Sequence, residues 1–129
     1  MSSDTKELLI SYIKSNVTPI LIDFITSDNI PGSIVLKSNC SNEELNGYYE
    51  NTEFCPPEWF KELNNKNILV IDNIDLIPLN EQLKFKEILK YRQVSTFGLP
   101  EKTVIIVTAK NISKINKEIY SLLAIIKEE

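Results

Sequence analysis

The chain has 129 residues, of which 43% are hydrophobic and 25% are charged, so one globular domain over residues 1–129 is expected. Its 14 basic and 18 acidic residues give a net charge of −4, which disfavours a general binder of the nucleic-acid backbone. The chain has no histidine, which excludes hydrolases that depend on a serine–histidine or cysteine–histidine pair. Its first residues are polar and no apolar run approaches the length of a membrane helix, so we expect no signal peptide, no membrane span and a cytoplasmic location.

The amino-terminal third of the chain predicts a helix followed by two strands. Apolar residues recur at helical spacing within 5–15. Residues 18–25 are rich in β-branched and aromatic side chains and predict a strand, and residues 33–37 predict a second one. The intervening residues 26–32 are dense in turn formers.

The middle of the chain predicts a long loop, a helix and a buried strand. Residues 38–57 are polar and irregular, which is typical of a functional loop with room for one helical turn. A helix is expected to begin near Pro57, because proline favours the first helical position. Residues 68–71 are all apolar, as in a strand that is covered on both faces.

The last third predicts a helix over 81–92, a second wholly apolar strand over 104–107, and a helical apolar stripe from Ile112 to Ile126. Alternating strands and helices with two fully apolar strands favour an α/β fold with a mainly parallel, three-layer sheet. One alternative stays open for residues 18–38, because only seven residues separate Ile25 from Ser33. These residues form either a short crossing between parallel strands, which we prefer, or an antiparallel hairpin.

The sharpest candidate site is the acidic end of the apolar strand, where Ile71 is followed by Asp72 and Asn73. Ligands of open parallel sheets lie beyond the carboxyl ends of the strands. Four hydrophobic residues followed by Asp form the Walker B arrangement, whose carboxylate holds Mg²⁺ near nucleotide phosphates. On this motif alone, a strand that simply ends in a turn is the better interpretation.

The order of several short motifs resembles the MoxR-type branch of the AAA+ ATPases over nearly the whole chain. The resemblance rests on a helix and strand over 7–24, a Pro-x-Trp segment that starts a helix, the Walker B strand, a following helix rich in Gln and Leu, and the sensor strand over 104–108. It implies a reduced P-loop-NTPase-like fold in which the first and second strands are not neighbours. In that family, Thr108 or Asn111 would occupy the position of the polar sensor residue.

The chain departs from the family at each place where ATP hydrolysis needs a group. Residues 26–32 hold one Gly and no Lys where the phosphate loop belongs. Asn73 stands where the family has the glutamate that polarises the attacking water. The chain stops soon after the sensor strand, so we also expect no helical lid. Together these departures make catalysis improbable and leave only weak Mg-ATP binding open, with no cofactor expected.

Three functions follow from the resemblance. The first is a pseudo-ATPase, a non-catalytic module that docks on a protein partner, either an AAA+ ATPase or another copy of itself, through residues 38–57 and the apolar carboxyl-terminal helix. The second is an accessory subunit of DNA replication or repair, similar to those of clamp loaders. Direct binding of nucleic acid by this chain is not favoured. The third is residual nucleotide binding or hydrolysis at Asp72.

Further side chains are candidates for contacts, each with a plainer interpretation. Trp59 and Phe60 either anchor an interface or pack their helix on the sheet, and we expect at least one of them in the core. Basic residues follow the Walker B and sensor strands and are candidates for an interaction surface, although a solvated face is favoured: Lys84, Lys86, Lys90, Arg92, Lys110, Lys114 and Lys117. Cys40 and Cys55 flank the long loop and are expected to be reduced structural thiols.

Overall fold

A computed structural model describes residues 3–23, 30 and 32–127. Its centre is a five-stranded, wholly parallel sheet in the order β2-β5-β8-β1-β9. The strands are β1 (Ile20–Ile22), β2 (Ser33–Lys37), β5 (Ile68–Asp72), β8 (Val104–Thr108) and β9 (Ala124–Ile126). Two small antiparallel sheets accompany it, namely β3 (Tyr48–Glu50) with β4 (Glu53–Cys55), and β6 (Gln93–Val94) with β7 (Phe97–Gly98).

Helices lie on both faces of this sheet, so the predicted α/β, three-layer architecture is confirmed. They are α1 (Ser3–Lys14), α2 (Asn42–Asn46), α3 (Glu58–Glu62), α4 (Lys86–Tyr91) and α5 (Lys117–Tyr120), with short 3₁₀ helices at 74–76, 81–85 and 112–114. The fold is consistent with a reduced P-loop-like domain. The first and second strands are separated by two others, as the preferred order predicted.

Alternation along each central strand divides the core into two layers. Leu69, Ile71 and Ile105 point toward the layer that α3, α4 and α5 cover, where Trp59 and Phe85 are buried. The opposite layer contains the remaining inward side chains under Leu9 of α1: Ile20, Ile22, Val70, Val104, Ile106 and Ile126. The two apolar runs therefore form the central strands β5 and β8, covered on both faces as expected.

The hairpin alternative for residues 18–38 is wrong, because β1 and β2 run parallel and do not pair. The chain must pass from the end of β1 to the start of β2, across three strand spacings and back along one strand length, which is a distance of roughly 22 Å. The intervening residues 23–32 reach about 33 Å when extended, so a short connection suffices. Ile30 is buried in the layer beneath α1. The predicted turn and phosphate-loop interval lies mostly outside the described residues.

The predicted carboxyl-terminal helix over 112–126 is also wrong. Its residues form a 3₁₀ turn, the single-turn helix α5 and then strand β9, which pairs with β1. Asn116 interrupts the helix, since its side chain accepts a hydrogen bond from the N–H of Glu118 and starts α5 anew. Ile119 and Ile126 are fully buried, so these residues cover and extend the sheet instead of offering an apolar docking helix.

The long polar segment 38–57 is more ordered than expected. It contains α2 and the hairpin of β3 and β4. A capping box starts α2, in which Ser41 and Glu44 exchange side-chain and backbone hydrogen bonds at 3.1 Å. Gly47 ends the helix at a φ of +73° and a ψ of −163°, a conformation that side chains strongly disfavour.

Candidate functional site

The carboxyl ends of β5 and β8 bring Asp72 and Thr108 together. Ile71 pairs with Val107 in the parallel register, so the next residue of each strand lies beside the other at the sheet end. The hydroxyl of Thr108 donates to Asp72 Oδ1 at 2.6 Å and accepts from the backbone N–H of Asn73 at 2.8 Å. Thr108 is almost fully buried, with an exposed fraction of 2%. Its hydroxyl therefore makes two hydrogen bonds within this strand junction, one as a donor and one as an acceptor.

Asn73 extends the same network to the end of β2. Its backbone is left-handed, with φ 56° and ψ 52°, a conformation that asparagine tolerates better than most residues. Its side-chain amide donates to Asp72 Oδ2 at 3.3 Å. The hydroxyl of Ser38, which follows β2, donates to the carbonyl of Asn73 at 2.8 Å. Hydrogen bonds thus connect the ends of three adjacent strands.

A cavity of about 290 Å³ opens beside this junction. Its lining combines polar and apolar side chains: Lys37, Ser38, Asn39, Asp72, Asn73, Leu76 and Ile77. Leu76 is largely exposed at its rim. The cavity lies at the carboxyl ends of β2 and β5, whereas the interval that corresponds to a phosphate loop follows β1, which β8 separates from β5.

The residues present do not fit a Mg-nucleotide of the kind that the family resemblance implies. Both Asp72 oxygens already accept hydrogen bonds from neighbouring side chains, and Asn73 offers an amide in place of a second carboxylate. Mg²⁺ is normally held by carboxylates together with the phosphates of the nucleotide. Residues 26–32 supply neither the glycines nor the lysine of a phosphate loop. Within the described residues, no group of three potential metal ligands occurs.

Asn111 lies away from this junction and performs a capping role. Its side-chain oxygen accepts from the N–H of Ser113 at 3.1 Å, which starts the 3₁₀ turn at 112–114. Its own N–H donates to Asp75 Oδ2 at 3.0 Å, so the loops after β5 and β8 are connected. Of the two candidates for the sensor position, Thr108 is therefore the one that contacts Asp72.

The aromatic pair at the start of α3 is part of the core, as expected for at least one member. Trp59 is buried, and its indole N–H donates to the carbonyl of Leu45 at 3.0 Å. Phe60 is half-buried, with its ring centroid 5.9 Å from that of Trp59. Trp59 holds α3 against α2 and is not available as a surface anchor.

The predicted basic surface is divided among local contacts. Arg92 Nη2 donates to the carbonyl of Thr103 at 2.7 Å, so this guanidinium fastens the segment before β8. Lys84 donates to the carbonyl of Cys40 at 2.8 Å, and Lys86 pairs with Glu118 at 3.1 Å. Lys110 and Lys114 remain on the exposed surface.

The two cysteines are free thiols, as predicted. Cys40 is buried, and burial raises the pKa of its thiol while the nearby Lys84 ammonium acts in the opposite direction. Cys55 is half-buried at the end of β4, where it pairs with Tyr48. The thiol of Cys55 raises the pKa of Tyr48.

An exposed aromatic patch is the feature that the sequence did not predict. It consists of Tyr49, Phe54 and Phe97, which join the β3–β4 and β6–β7 hairpins. The rings of Phe54 and Phe97 stack at 4.8 Å and 8°, and that of Tyr49 lies 5.3 Å from Phe54. Tyr49 is 60% exposed and Phe97 45%. The available signal for a hairpin was the turn at Asn51, whose φ is 59°, with Tyr49 and Phe54 equally spaced on either side of Asn51-Thr52 as cross-strand partners.

No protein-family model matches the chain, and no curated protein is significantly similar to it. None of the helices in the described part of the chain combines the length and the apolarity that a membrane crossing requires.

Proposed function

We propose that the chain is a non-catalytic interaction module with a reduced AAA+-like core, which docks on a partner protein, and that an AAA+ ATPase is the first candidate partner. The observation that carries the proposal is the internal use of the Walker B-like carboxylate. Asp72 accepts hydrogen bonds from Thr108 and Asn73, and Asn73 replaces the family's catalytic glutamate. These contacts serve the junction of three strands, and the amide of Asn73 cannot act as the base that the family's glutamate provides.

The aromatic patch supports an interaction role. Exposed aromatic side chains dominate the energetics of protein interfaces, because they bury a large area with few rotatable bonds. The two hairpins that carry Tyr49 and Phe97 lie outside the central sheet and are held together by ring stacking. The hydroxyl of Tyr49 also lies 3.4 Å from that of Ser95, a long and exposed contact between the two hairpins. Such a patch is ordered before a partner arrives.

Co-purification with an intact AAA+ ATPase tests this proposal. We expect the wild-type chain to retain such a partner and the Tyr49→Ser, Phe97→Ser double variant to lose it. Tyr91→Ser is the matched control, because Tyr91 is equally exposed and lies outside the patch. Asp72→Ala is expected to retain the partner if it folds. Equal retention by all variants would contradict the role of the patch.

Residual Mg-nucleotide binding is a second candidate, and one observation favours it. Lys37 and Asp72 line the same cavity, so a cation and a carboxylate lie together at the carboxyl end of the sheet, although on the side of Asp72 away from β1. A lysine at the end of the second strand is not the family's arrangement. Stabilisation by Mg-ATP that depends on both Lys37 and Asp72 would support this candidate over the first.

A further inference from the structure

Strand β2 is one edge of the central sheet, and part of its backbone faces outward. The N–H of Ser38 donates to the carbonyl of Asp72 in β5 at 3.2 Å, whereas the carbonyl of Lys37 accepts at 3.0 Å from Cys40, outside the sheet. Because successive residues of a strand alternate in direction, the N–H and C=O of Val35 point outward like the carbonyl of Lys37. Among the described residues, no strand pairs with β2 on that side.

The middle of this edge is apolar. The side chain of Val35 is 44% exposed, and the adjacent Ile34 and Leu36 are buried in the core layer beneath α3. Natural edge strands are commonly protected by charges, prolines or bulges, since unpaired backbone groups recruit further strands. The central residue of β2 carries none of these protections.

A groove of about 420 Å³ runs along this edge. Residues 34–36 line it, together with Pro56, which is partly exposed, and with Pro57 and Trp59, which are buried. Tyr48 and Cys55, the paired residues at the base of the β3–β4 hairpin, close the groove at one side. This edge therefore combines outward backbone groups with accessible apolar side chains, Pro56 in the groove and Val35 on the opposite face, which are the two elements of strand addition by a peptide.

The rim of the groove is acidic. Glu43 and Glu44 of α2 and Glu58 and Glu62 of α3 line it, and Lys61 is the cation among its lining residues. The hydrogen bonds of the capping box lower the pKa of Glu44, and the charge of Lys84, which lies outside the lining, helps to lower it. Lys61 lies 3.4 Å from Glu58, so its charge is partly matched within α3. The remaining carboxylates give the groove a negative potential, which attracts basic partners and repels acidic ones.

We propose that this groove binds an extended, basic segment of a partner protein, which adds to β2 as a sixth strand. The segment would alternate lysine or arginine side chains, directed to the glutamates of α2 and α3, with apolar side chains that lie beside Val35 on the opposite face of the sheet. The proposal deepens the proposed function by naming the chemistry of one partner segment, and it rests on the chain being an interaction module. A second copy of this chain fits less well, because both copies would bring the same acidic rim.

A synthetic peptide tests the groove directly. The probe is a fluorescent nonapeptide of alternating lysine and valine with blocked ends, titrated into the full chain at low salt. Its control is the same peptide with N-methyl groups on alternate residues, which keeps the charge and removes backbone donors. We expect the N-methylated peptide to bind at least about tenfold more weakly, because strand addition depends on main-chain hydrogen bonds.

Charge reversal locates the binding site. The Glu43→Lys, Glu62→Lys double variant is expected to weaken binding at least about tenfold, and Val35→Lys to weaken it comparably. The matched control is Glu81→Lys, Glu101→Lys, which makes the same change in net charge at exposed positions outside the groove. Each variant is first shown by circular dichroism to fold.

The outcomes separate the groove from the wider proposal. Equal binding of the two peptides, or equal weakening by both double variants, would overturn the groove as a strand-addition site. A dimer in solution that Val35→Lys disrupts, without peptide binding, would assign the edge to a second copy and overturn the basic occupant. Nucleotide-dependent stabilisation with intact peptide binding would instead remove the pseudo-ATPase role and leave the groove in place.

Discussion

The hydroxyl of Thr108 makes two of the hydrogen bonds of the strand junction, so its removal tests the junction by changing one group. Thr108→Val keeps the shape of the side chain, so the loss is confined to hydrogen bonds. The variant removes one bond to a carboxylate at 2.6 Å and one from a backbone N–H at 2.8 Å. A bond to a charged group contributes about 1.5–3 kcal/mol and a neutral one about 0.5–1.5 kcal/mol. Because Asp72 is half-buried and water replaces part of the loss, we expect a destabilisation of about 2–3 kcal/mol.

Thr103 provides a matched control at the other end of the same strand. It is as buried as Thr108, but its hydroxyl has no hydrogen-bond partner among the described residues. Thr103→Val therefore replaces an unsatisfied buried hydroxyl with a methyl group, and stability should stay within about 0.5 kcal/mol or rise by about 1 kcal/mol.

Urea unfolding followed by circular dichroism measures both variants. At a slope near 2 kcal/mol/M, a loss of 2–3 kcal/mol lowers the midpoint by about 1–1.5 M. Thr103→Val should unfold at or above the wild-type midpoint. An unchanged midpoint for Thr108→Val, or equal losses for both variants, would refute the assignment of the Thr108 hydroxyl to the junction.

Three further predictions concern positions outside the junction. Gly47→Ala should cost at least about 2 kcal/mol in a urea melt, because its Cβ would lie 2.3 Å from the carbonyl oxygen of Cys55, whereas Gly32→Ala has open space and should cost about 1 kcal/mol. Cys40 should be alkylated more slowly than Cys55, and its rate should continue to rise above pH 9, because burial raises the pKa of the Cys40 thiol; equal rates at pH 8 would contradict its burial. Trp59→Phe should destabilise the chain by about 1–3 kcal/mol, because it leaves the buried carbonyl that accepts the indole N–H at 3.0 Å without this donor; an unchanged melting temperature would contradict that bond.

The central strands were predictable, because Ile68–Ile71 and Val104–Val107 are unbroken apolar runs of strand length. The carboxyl terminus was not, because the spacing from Ile112 to Ile126 fits a helix as well as it fits a 3₁₀ turn, a short helix and a strand. A tertiary contact decides between these alternatives, because β9 pairs with the edge of β1 that β8 does not occupy. Asn116 carried the one local signal against a continuous helix, as a capping residue in its middle.

The candidate residues could be named from the sequence, but their hydrogen bonds could not. Asp72 follows one apolar strand and Thr108 another, and Asn111 was the open alternative to Thr108. Whether Thr108 would contact Asp72 depends on the register that sets Ile71 opposite Val107, and local sequence does not determine register between distant strands. The aromatic patch depends likewise on how two separate hairpins lie side by side.

A thermal melt with and without millimolar Mg-ATP and Mg-ADP tests the proposed pseudo-ATPase role most directly. A ligand present at 100 times its dissociation constant stabilises a protein by about 2.7 kcal/mol, which is a shift of several degrees for a domain of this size. We predict no shift beyond about 1 °C, because the phosphate-binding residues are missing and Asp72 is engaged within the junction. A shift of several degrees that Asp72→Ala abolishes would contradict the pseudo-ATPase proposal and assign nucleotide binding to the cavity beside Asp72.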